Sequence, residues 1–125
     1  MIRSLLAVAL LALATSSAPE RETRFAVRYA PGVMERVSRN RKLPIVDCML
    51  AHPTLPLGQW VWIEGQTTGA GRRCRVTDVS HPRDKARHIR TKRIELDYTS
   101  SAALCGAKWK GKATECPVWL YKENP

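Results

Sequence analysis

Two neighbouring segments with the composition of β-strands constrain the fold of this chain most strongly. Residues 60–64 read WVWIE and residues 72–79 read RRCRVTDV, and the sequence between them, GQTTGAG, is rich in glycine and threonine. Short runs of β-branched and aromatic residues are typical of strands, and a flexible glycine-rich connection lets two strands turn back on each other. We therefore predict a β-hairpin in the middle of the chain.

Further strand-like segments lie on both sides of this hairpin, at residues 24–30, 45–51, 94–96 and 116–122. Residues 99–105, with a hydroxyl residue at their start and Gly106 after their end, predict a short helix. We predict a basic loop at 33–42, with one or two helical turns as the alternative, and a long surface loop at 80–92. Several short strands with one or two small helices favour a closed β-barrel in a single domain.

The first residues have the layout of a secretory signal peptide. Arg3 precedes an apolar run at 5–14, and small polar residues follow. The run is too short to span a bilayer as a permanent helix. We predict a signal peptide at 1–14, with cleavage as late as about Ala18 as an alternative, and an exported protein without a stable membrane anchor.

The cysteines predict two disulfides. In a short exported chain, four cysteines most simply form two bridges, with three possible connectivities: they are Cys48, Cys74, Cys105 and Cys116. A zinc site is the alternative, although its spacing matches no compact ligand pattern; its ligands would be Cys74, His81, His88 and Cys105. We favour disulfides and expect neither a metal nor a cofactor.

One histidine and one aspartate fall at the ends of two strand-like segments. His52 follows residues 45–51, because Pro53 forbids the extension of that strand, and Asp78 lies near the end of 72–79. A histidine and an aspartate held close together can share proton transfer on a substrate. The structural alternatives are a turn histidine that caps the strand end and an aspartate that forms a turn. We predict a catalytic pair.

The order of the motifs around this pair resembles a known family. AH-x-x-LP-x-G at 51–58, VTD at 76–78 and IELD at 94–97 before a small helix resemble the rare lipoprotein A-like double-psi β-barrel, over about residues 29–121. Expansins and barwin-like proteins share that barrel. The resemblance implies a mainly β, six-stranded double-psi β-barrel with one or two short helices, over residues 24–122.

The resemblance implies that the protein is a periplasmic or secreted lytic transglycosylase. Such an enzyme cuts peptidoglycan between N-acetylmuramic acid and N-acetylglucosamine. In that reaction an acid protonates the glycosidic oxygen and the sugar's own C6 hydroxyl closes a 1,6-anhydro ring, so one proton-transferring carboxyl group can suffice. His52 and Asp78 match the family's catalytic positions. We favour Asp78 as the main acid and base; the alternative makes Asp78 the base and His52 the acid.

Four further residues are predicted to contact the substrate. Glu95 matches an aspartate that the family often has before its last helix, or else it lies in the barrel wall. Tyr29 matches an aromatic residue that could stack on a sugar ring, or else it packs in the core. Thr77 could donate a hydrogen bond to substrate, although strand threonines are more often structural. Arg75 lies close to Asp78 in the sequence.

The net charge of +10 favours a polyanionic partner. Residues 83–93 contain six Lys or Arg and one acid, which predicts either a solvated loop or docking onto the carboxylates of peptidoglycan or another anionic wall polymer. Nucleic acid is disfavoured, because no aromatic residues interleave this run. The four tryptophans lie mostly in strand-like contexts, where packing is the expected role.

The residues after Asp78 depart from the family's pattern. The family commonly has a glycine there, whereas this chain reads DVSHP before the basic run. We therefore keep two alternatives to the enzyme: a non-catalytic, expansin-like polysaccharide-binding barrel, and a secreted barrel that acts through protein contacts. In each case we expect a monomer.

We favour the pairing of Cys48 with Cys74, because each lies four residues before one of the two candidate catalytic residues, His52 and Asp78.

Overall fold

The computed structural model describes residues 20–123, so the signal peptide predicted at 1–14 lies outside the described residues. A 3₁₀ turn, Ala113–Glu115, precedes the last strand. In chain order the other elements are β1 (Arg21–Arg28), α1 (Val33–Asn40), β2 (Met49–His52), β3 (Trp60–Gly65), β4 (Gly71–Val79), α2 (Lys85–Thr91), β5 (Arg93–Leu96), α3 (Tyr98–Cys105) and β6 (Pro117–Lys122).

The strands form a closed barrel in the order β1-β5-β2-β4-β3-β6. Two neighbouring pairs, β1–β5 and β2–β4, are parallel, and the other four pairs are antiparallel. The first and last strands pair with each other, from Arg21 opposite Tyr121 to Phe25 opposite Pro117. The prediction of a mainly β, six-stranded closed barrel is confirmed, as is the β3–β4 hairpin.

Side chains that alternate along each strand fill the interior of the barrel. Period-two alternation places every second residue inside, which explains why the apolar residues of the strands recur at this spacing. The largest buried ones from the strands are Leu50, Val61, Ile63, Val76, Ile94, Leu96, Val118 and Leu120. Trp109, from the segment between α3 and β6, completes this core and is 7% exposed.

Two segments predicted as loops contain helices, so residues 20–123 hold three α-helices where one or two were predicted. In α1, Met34 and Ser38 are one turn apart and both buried, and Met34 packs on Met49 and Ala51 of β2. Its other face carries the charges that suggested a loop. The buried residue of α2 is a polar one, His88. Tertiary packing of one short face thus outweighs the polar composition of each helix.

The cysteines form the bridges Cys48–Cys74 and Cys105–Cys116. The favoured pairing is confirmed, and the zinc alternative is wrong because both of its cysteines are in disulfides. Cys48 directly precedes β2 and Cys74 lies in β4, so this bridge ties the two parallel strands together. Two disulfides are compatible with an oxidising, extracytoplasmic location. Among the helices of residues 20–123, each is too short or too polar to cross a membrane.

Candidate active site

An extra residue in β4 sets the direction of Asp78. Leu50 of β2 pairs with Val76, but the next residue, Ala51, pairs with Asp78, so Thr77 is left over as a bulge. Val76 is in the barrel core, and strict alternation would send Asp78 inward as well. The additional residue reverses this phase, so Asp78 faces outward beside Ala51.

The carboxylate of Asp78 accepts hydrogen bonds from three residues. Arg41 donates to Oδ1 from Nε at 3.0 Å and from Nη2 at 2.7 Å, and the backbone N–H of Val79 donates to the same oxygen at 2.8 Å. The hydroxyl of Tyr29 donates to Oδ2 at 2.5 Å. With its side chain 11% exposed, Asp78 is a nearly buried, ion-paired carboxylate.

Arg41 reaches Asp78 because it directly follows the last residue of α1, at the C-cap of the helix. Its backbone N–H donates to the carbonyl of Val37, which continues the helix by one more bond. Sequence reasoning missed Arg41, because a basic loop was predicted there. The buried pair Met34 and Ser38, four residues apart, is the signal that identifies the helix and, with it, the position of the arginine.

Tyr29 is placed by the strand that precedes it. Its backbone N–H donates to the carbonyl of Leu96 at 2.9 Å and so extends the β1–β5 ladder by one residue. Burial and the hydrogen bond to Asp78 raise the pKa of Tyr29, which therefore stays protonated as a donor. Stacking on a sugar stays a prediction, since the hydroxyl is already committed to Asp78.

Glu95 is a second carboxyl group on the same outer face. Ala51 pairs with Asp78 on one side and with Glu95 on the other, so the two acids come from strands about 10 Å apart. Burial, and then the negative charge of Asp78, raise the pKa of Glu95. The two acids therefore have different surroundings: Asp78 is paired with Arg41, whereas burial and the charge of Asp78 raise the pKa of Glu95.

A buried histidine of α2 lies beside Glu95. His88 Nδ1 is 2.8 Å from Ser80 Oγ and 4.0 Å from Glu95 Oε1. Burial lowers the pKa of His88, and the charges of Arg93 and Arg87 act in the same direction, so the ring favours its neutral form. Sequence reasoning took His88 for a solvated loop residue; the fold of α2 against β5 brings it to the site.

His52 and Asp78 are neighbours along the sheet but face opposite sides of it. His52 pairs with Val79 and follows Ala51, so its ring points into the barrel, where it is fully buried. Nδ1 accepts the backbone N–H groups of Thr54 and Leu55, each at 3.0 Å. This is the turn-capping geometry of the structural alternative, and a catalytic role for His52 stays a prediction.

The protonation of His52 follows from its burial, which lowers its pKa to about 3. The ring is therefore neutral at pH 7, and because Nδ1 is an acceptor the proton is on Nε2. Nε2 has no hydrogen-bond partner among residues 20–123. A neutral imidazole with this pKa is a poor proton donor at pH 7. This argues against the predicted alternative in which His52 is the acid and Asp78 is the base.

The two remaining predicted residues also have structural surroundings. Thr77 is fully buried at the bulge, and its Oγ1 has no partner in the described part of the chain. Arg75 donates from Nε to the carbonyl of Gly58 at 3.0 Å, and its guanidinium lies 5.4 Å from the centre of the Trp60 ring. Their contact with substrate stays a prediction.

Metal ligands are absent from this site as far as the structure describes the chain. No group of three or more His, Cys, Asp or Glu side chains within residues 20–123 is arranged to hold a metal ion.

In comparisons with known proteins, neither a protein-family model nor a curated protein sequence matches this chain.

Proposed function

We propose that this protein is an exported lytic transglycosylase that cleaves the glycan strands of peptidoglycan. The observation that supports it is the pair of outward-facing carboxyl groups, Asp78 and Glu95, one on each side of Ala51 and in opposite electrostatic surroundings. Acid–base chemistry on a glycosidic bond needs one group that gives a proton and one that takes it. The motifs around His52, Asp78 and Glu95 and the two disulfides fit the same assignment.

In the proposed reaction, Glu95 protonates the glycosidic oxygen and Asp78 takes the proton of the C6 hydroxyl. The C6 oxygen attacks the anomeric carbon, the bond to the leaving sugar breaks, and a 1,6-anhydro ring forms without water. Asp78 Oδ2 is the accepting atom, because it receives only the Tyr29 hydroxyl whereas Oδ1 receives three donors. Proton return from Asp78 to Glu95 through solvent completes the cycle.

Arg41 and Tyr29 are positioning residues in this proposal. Two donor atoms of Arg41 fix the plane of the Asp78 carboxylate, and the Tyr29 hydroxyl fixes the direction of Oδ2. A carboxylate that is already oriented loses no orientational freedom when substrate binds. His52 acts at a distance in the proposal, by shaping the turn that follows β2.

The test is digestion of purified glycan strands with the protein, followed by mass spectrometry of the sugar ends. We expect 1,6-anhydro ends from the wild type and their loss, by 10²-fold or more, in Asp78→Asn and in Glu95→Gln, because one proton-transferring group contributes about 10²–10⁴-fold to rate. Glu115→Gln, a change at an exposed glutamate of the 3₁₀ turn, is the matched control and should cleave as the wild type does.

Two results would contradict the proposal. Products with ordinary reducing ends would mean that water attacks in place of the C6 hydroxyl. Full activity of Glu95→Gln, with circular dichroism unchanged, would remove Glu95 as the acid.

A second candidate, a non-catalytic and expansin-like wall-binding barrel, is favoured by the Arg41–Asp78 ion pair. The three donors to Oδ1 of Asp78 come from Arg41 and Val79, so this oxygen is already engaged in structural hydrogen bonds. The same digestion separates the candidates: retained binding to glycan strands without any new sugar ends supports the binding barrel.

A further inference from the structure

Four side chains form a row across the outer surface of β4, β3, β6 and β1. Trp62 pairs with Arg73 on one side and with Tyr121 on the other, and Tyr121 pairs in turn with Arg21. We call these four residues the aromatic–arginine row. It runs over three strand spacings, about 14 Å, with an aromatic pair in the middle and a guanidinium at each end. Arg73 and Asp78 lie on the same strand, β4, five residues apart, and the row runs from Arg73 across β3 and β6 to β1.

Trp62 lies flat on the sheet and shows a face to solvent. A Cβ atom at Gly71 would come within 2.4 Å of the Trp62 ring, so the ring rests directly on the backbone of the neighbouring strand. Trp62 is nevertheless 41% exposed, whereas the other three tryptophans are half-buried or buried. A flat, supported indole with one open face is a rigid platform for stacking.

The two arginines are held in place by neighbouring side chains. Arg73 stacks over the Trp60 ring at 4.0 Å and donates from Nε to both carboxylate oxygens of Glu123, at 3.0 and 3.1 Å. Arg21 stacks over the Trp119 ring at 3.9 Å. Both guanidiniums keep further N–H donors for an anion, and their restricted conformations reduce the entropy lost on binding.

We propose that the aromatic–arginine row binds a sugar chain that carries carboxylate groups. The apolar face of a sugar ring stacks on Trp62 and Tyr121, and carboxylates at either side pair with Arg73 and Arg21 in the bidentate geometry that guanidinium favours. The net charge of +10 attracts such a polyanion over a longer range. This inference does not depend on the reaction proposed at Asp78.

The charges around the row favour an acidic glycan over a nucleic acid. Glu64 lies on the same outer face of β3, and Glu123 is paired with Arg73. A nucleic acid carries a phosphate on every unit and would bring some of them against these two carboxylates. A glycan with one carboxylate on every second sugar can bind with its carboxylates away from Glu64 and Glu123.

The test is calorimetric titration of the purified protein with hyaluronate oligosaccharides, whose alternate sugars carry carboxylates. We expect Trp62→Ala to weaken binding about tenfold, the loss that corresponds to one stacking contact of about 1.4 kcal/mol. Tyr98→Ala is the matched control, because Tyr98 is 42% exposed and lies on α3, outside the row; its affinity should equal that of the wild type. Gly71→Ala, which lifts the ring without removing it, should weaken binding as well.

Glu123→Gln tests the charges of the row, and here an increase in affinity is expected. Because this change frees Arg73 from its ion pair, the acidic oligosaccharide should bind more tightly, while an uncharged chitooligosaccharide of the same length should bind weakly to every variant. Asp78→Asn should leave the affinity unchanged, which separates this inference from the proposed reaction. No binding of hyaluronate, tighter binding of a single-stranded oligonucleotide of equal charge, or an unaltered affinity of Trp62→Ala would overturn the inference.

Discussion

At the scale of the residue, Thr77 controls the direction of the side chain that follows it. Thr77 is the extra residue of the bulge, so its own side chain is buried while Asp78 turns outward to Arg41 and Tyr29. A substitution at 77 therefore acts on Asp78 through the backbone, even where it makes no contact with substrate.

His52 has two structural roles, because its fully buried imidazole both fills the end of the barrel and caps a turn. Its pKa is near 6.5 in the unfolded chain and about 3 in the folded one. Between these values the unfolded state binds more protons, so the free energy of unfolding falls as the pH drops below 6.5.

We predict that His52→Asn flattens this acid sensitivity. The Asn carboxamide oxygen can still accept the N–H groups of Thr54 and Leu55, but it takes up no proton. The slope of unfolding free energy against pH between 6.5 and 4.5 should decrease by at most about 1.4 kcal/mol per pH unit. Urea denaturation at pH 7, 6 and 5 measures it.

The other groups with shifted pKa values contribute equally to the wild type and to His52→Asn. The lowered pKa of His88 acts in the same direction, and the raised pKa of Glu95 acts in the opposite one, since its contribution is lost as the pH rises above 4.5. Both are present in wild type and variant. His81→Asn, at an exposed histidine, should keep the wild-type slope; an unchanged slope in His52→Asn would mean that His52 is not the titrating group.

At the scale of the element, the end of α3 sits directly on the end of β3. A Cβ atom added to Gly65 would lie 2.0 Å from the carbonyl oxygen of Leu104, and the same oxygen accepts the hydroxyl of Thr68 at 2.8 Å. Backbone atoms cannot step aside as a flexible side chain can, so the helix and the strand would have to separate.

We predict that Gly65→Ala costs about 2–3 kcal/mol of unfolding free energy through this clash. The matched change is Gly69→Ala in the loop that follows β3, where nothing lies within 4 Å of the new Cβ but φ is +74°; it should cost about 1–2 kcal/mol through backbone strain alone. Urea denaturation of the two variants compares them. A Gly65→Ala variant as stable as Gly69→Ala would contradict the close packing of α3.

The sequence predicts those elements whose signal is local composition or spacing, and it fails where contacts between distant segments decide the structure. The β3–β4 hairpin and the Cys48–Cys74 bridge follow from local composition and spacing, and both are present. The helix α1 was only the alternative to the favoured loop, because Met34 and Ser38 alone are buried and three of its other six residues are charged. The sequence likewise predicts that His52 and Asp78 lie at strand ends. It does not predict that their side chains point to opposite faces of the sheet, because that depends on the bulge in the pairing of β2 with β4.

At the scale of the whole molecule, two covalent links reinforce a small core. Cys48 and Cys74 are 26 residues apart in the sequence and buried in the barrel, whereas Cys105 and Cys116 are 11 apart and Cys105 is partly exposed. A longer loop loses more entropy when it is closed in the unfolded chain.

We predict that Cys48→Ala with Cys74→Ala costs about 3.5 kcal/mol, and that Cys105→Ala with Cys116→Ala costs about 2.8 kcal/mol. In native protein treated with dithiothreitol, Cys105–Cys116 should be reduced first, since an attacking thiolate needs access. Alkylation followed by peptide mass mapping gives the order of reduction. Faster opening of Cys48–Cys74 would contradict the tight packing of the barrel around it.

The pairing of β6 with both β1 and β3 has a consequence for the nascent chain. Until residues 117–122 have left the ribosome, β1 and β3 each present an unpaired edge, and the contact between Arg21 and Tyr121 spans almost the whole sequence that folds. Open edges recruit other chains, and contacts so far apart in sequence form slowly. A chain in which β6 has not yet paired therefore keeps two strand edges open to association with other chains, and pairing of β6 removes both edges at once.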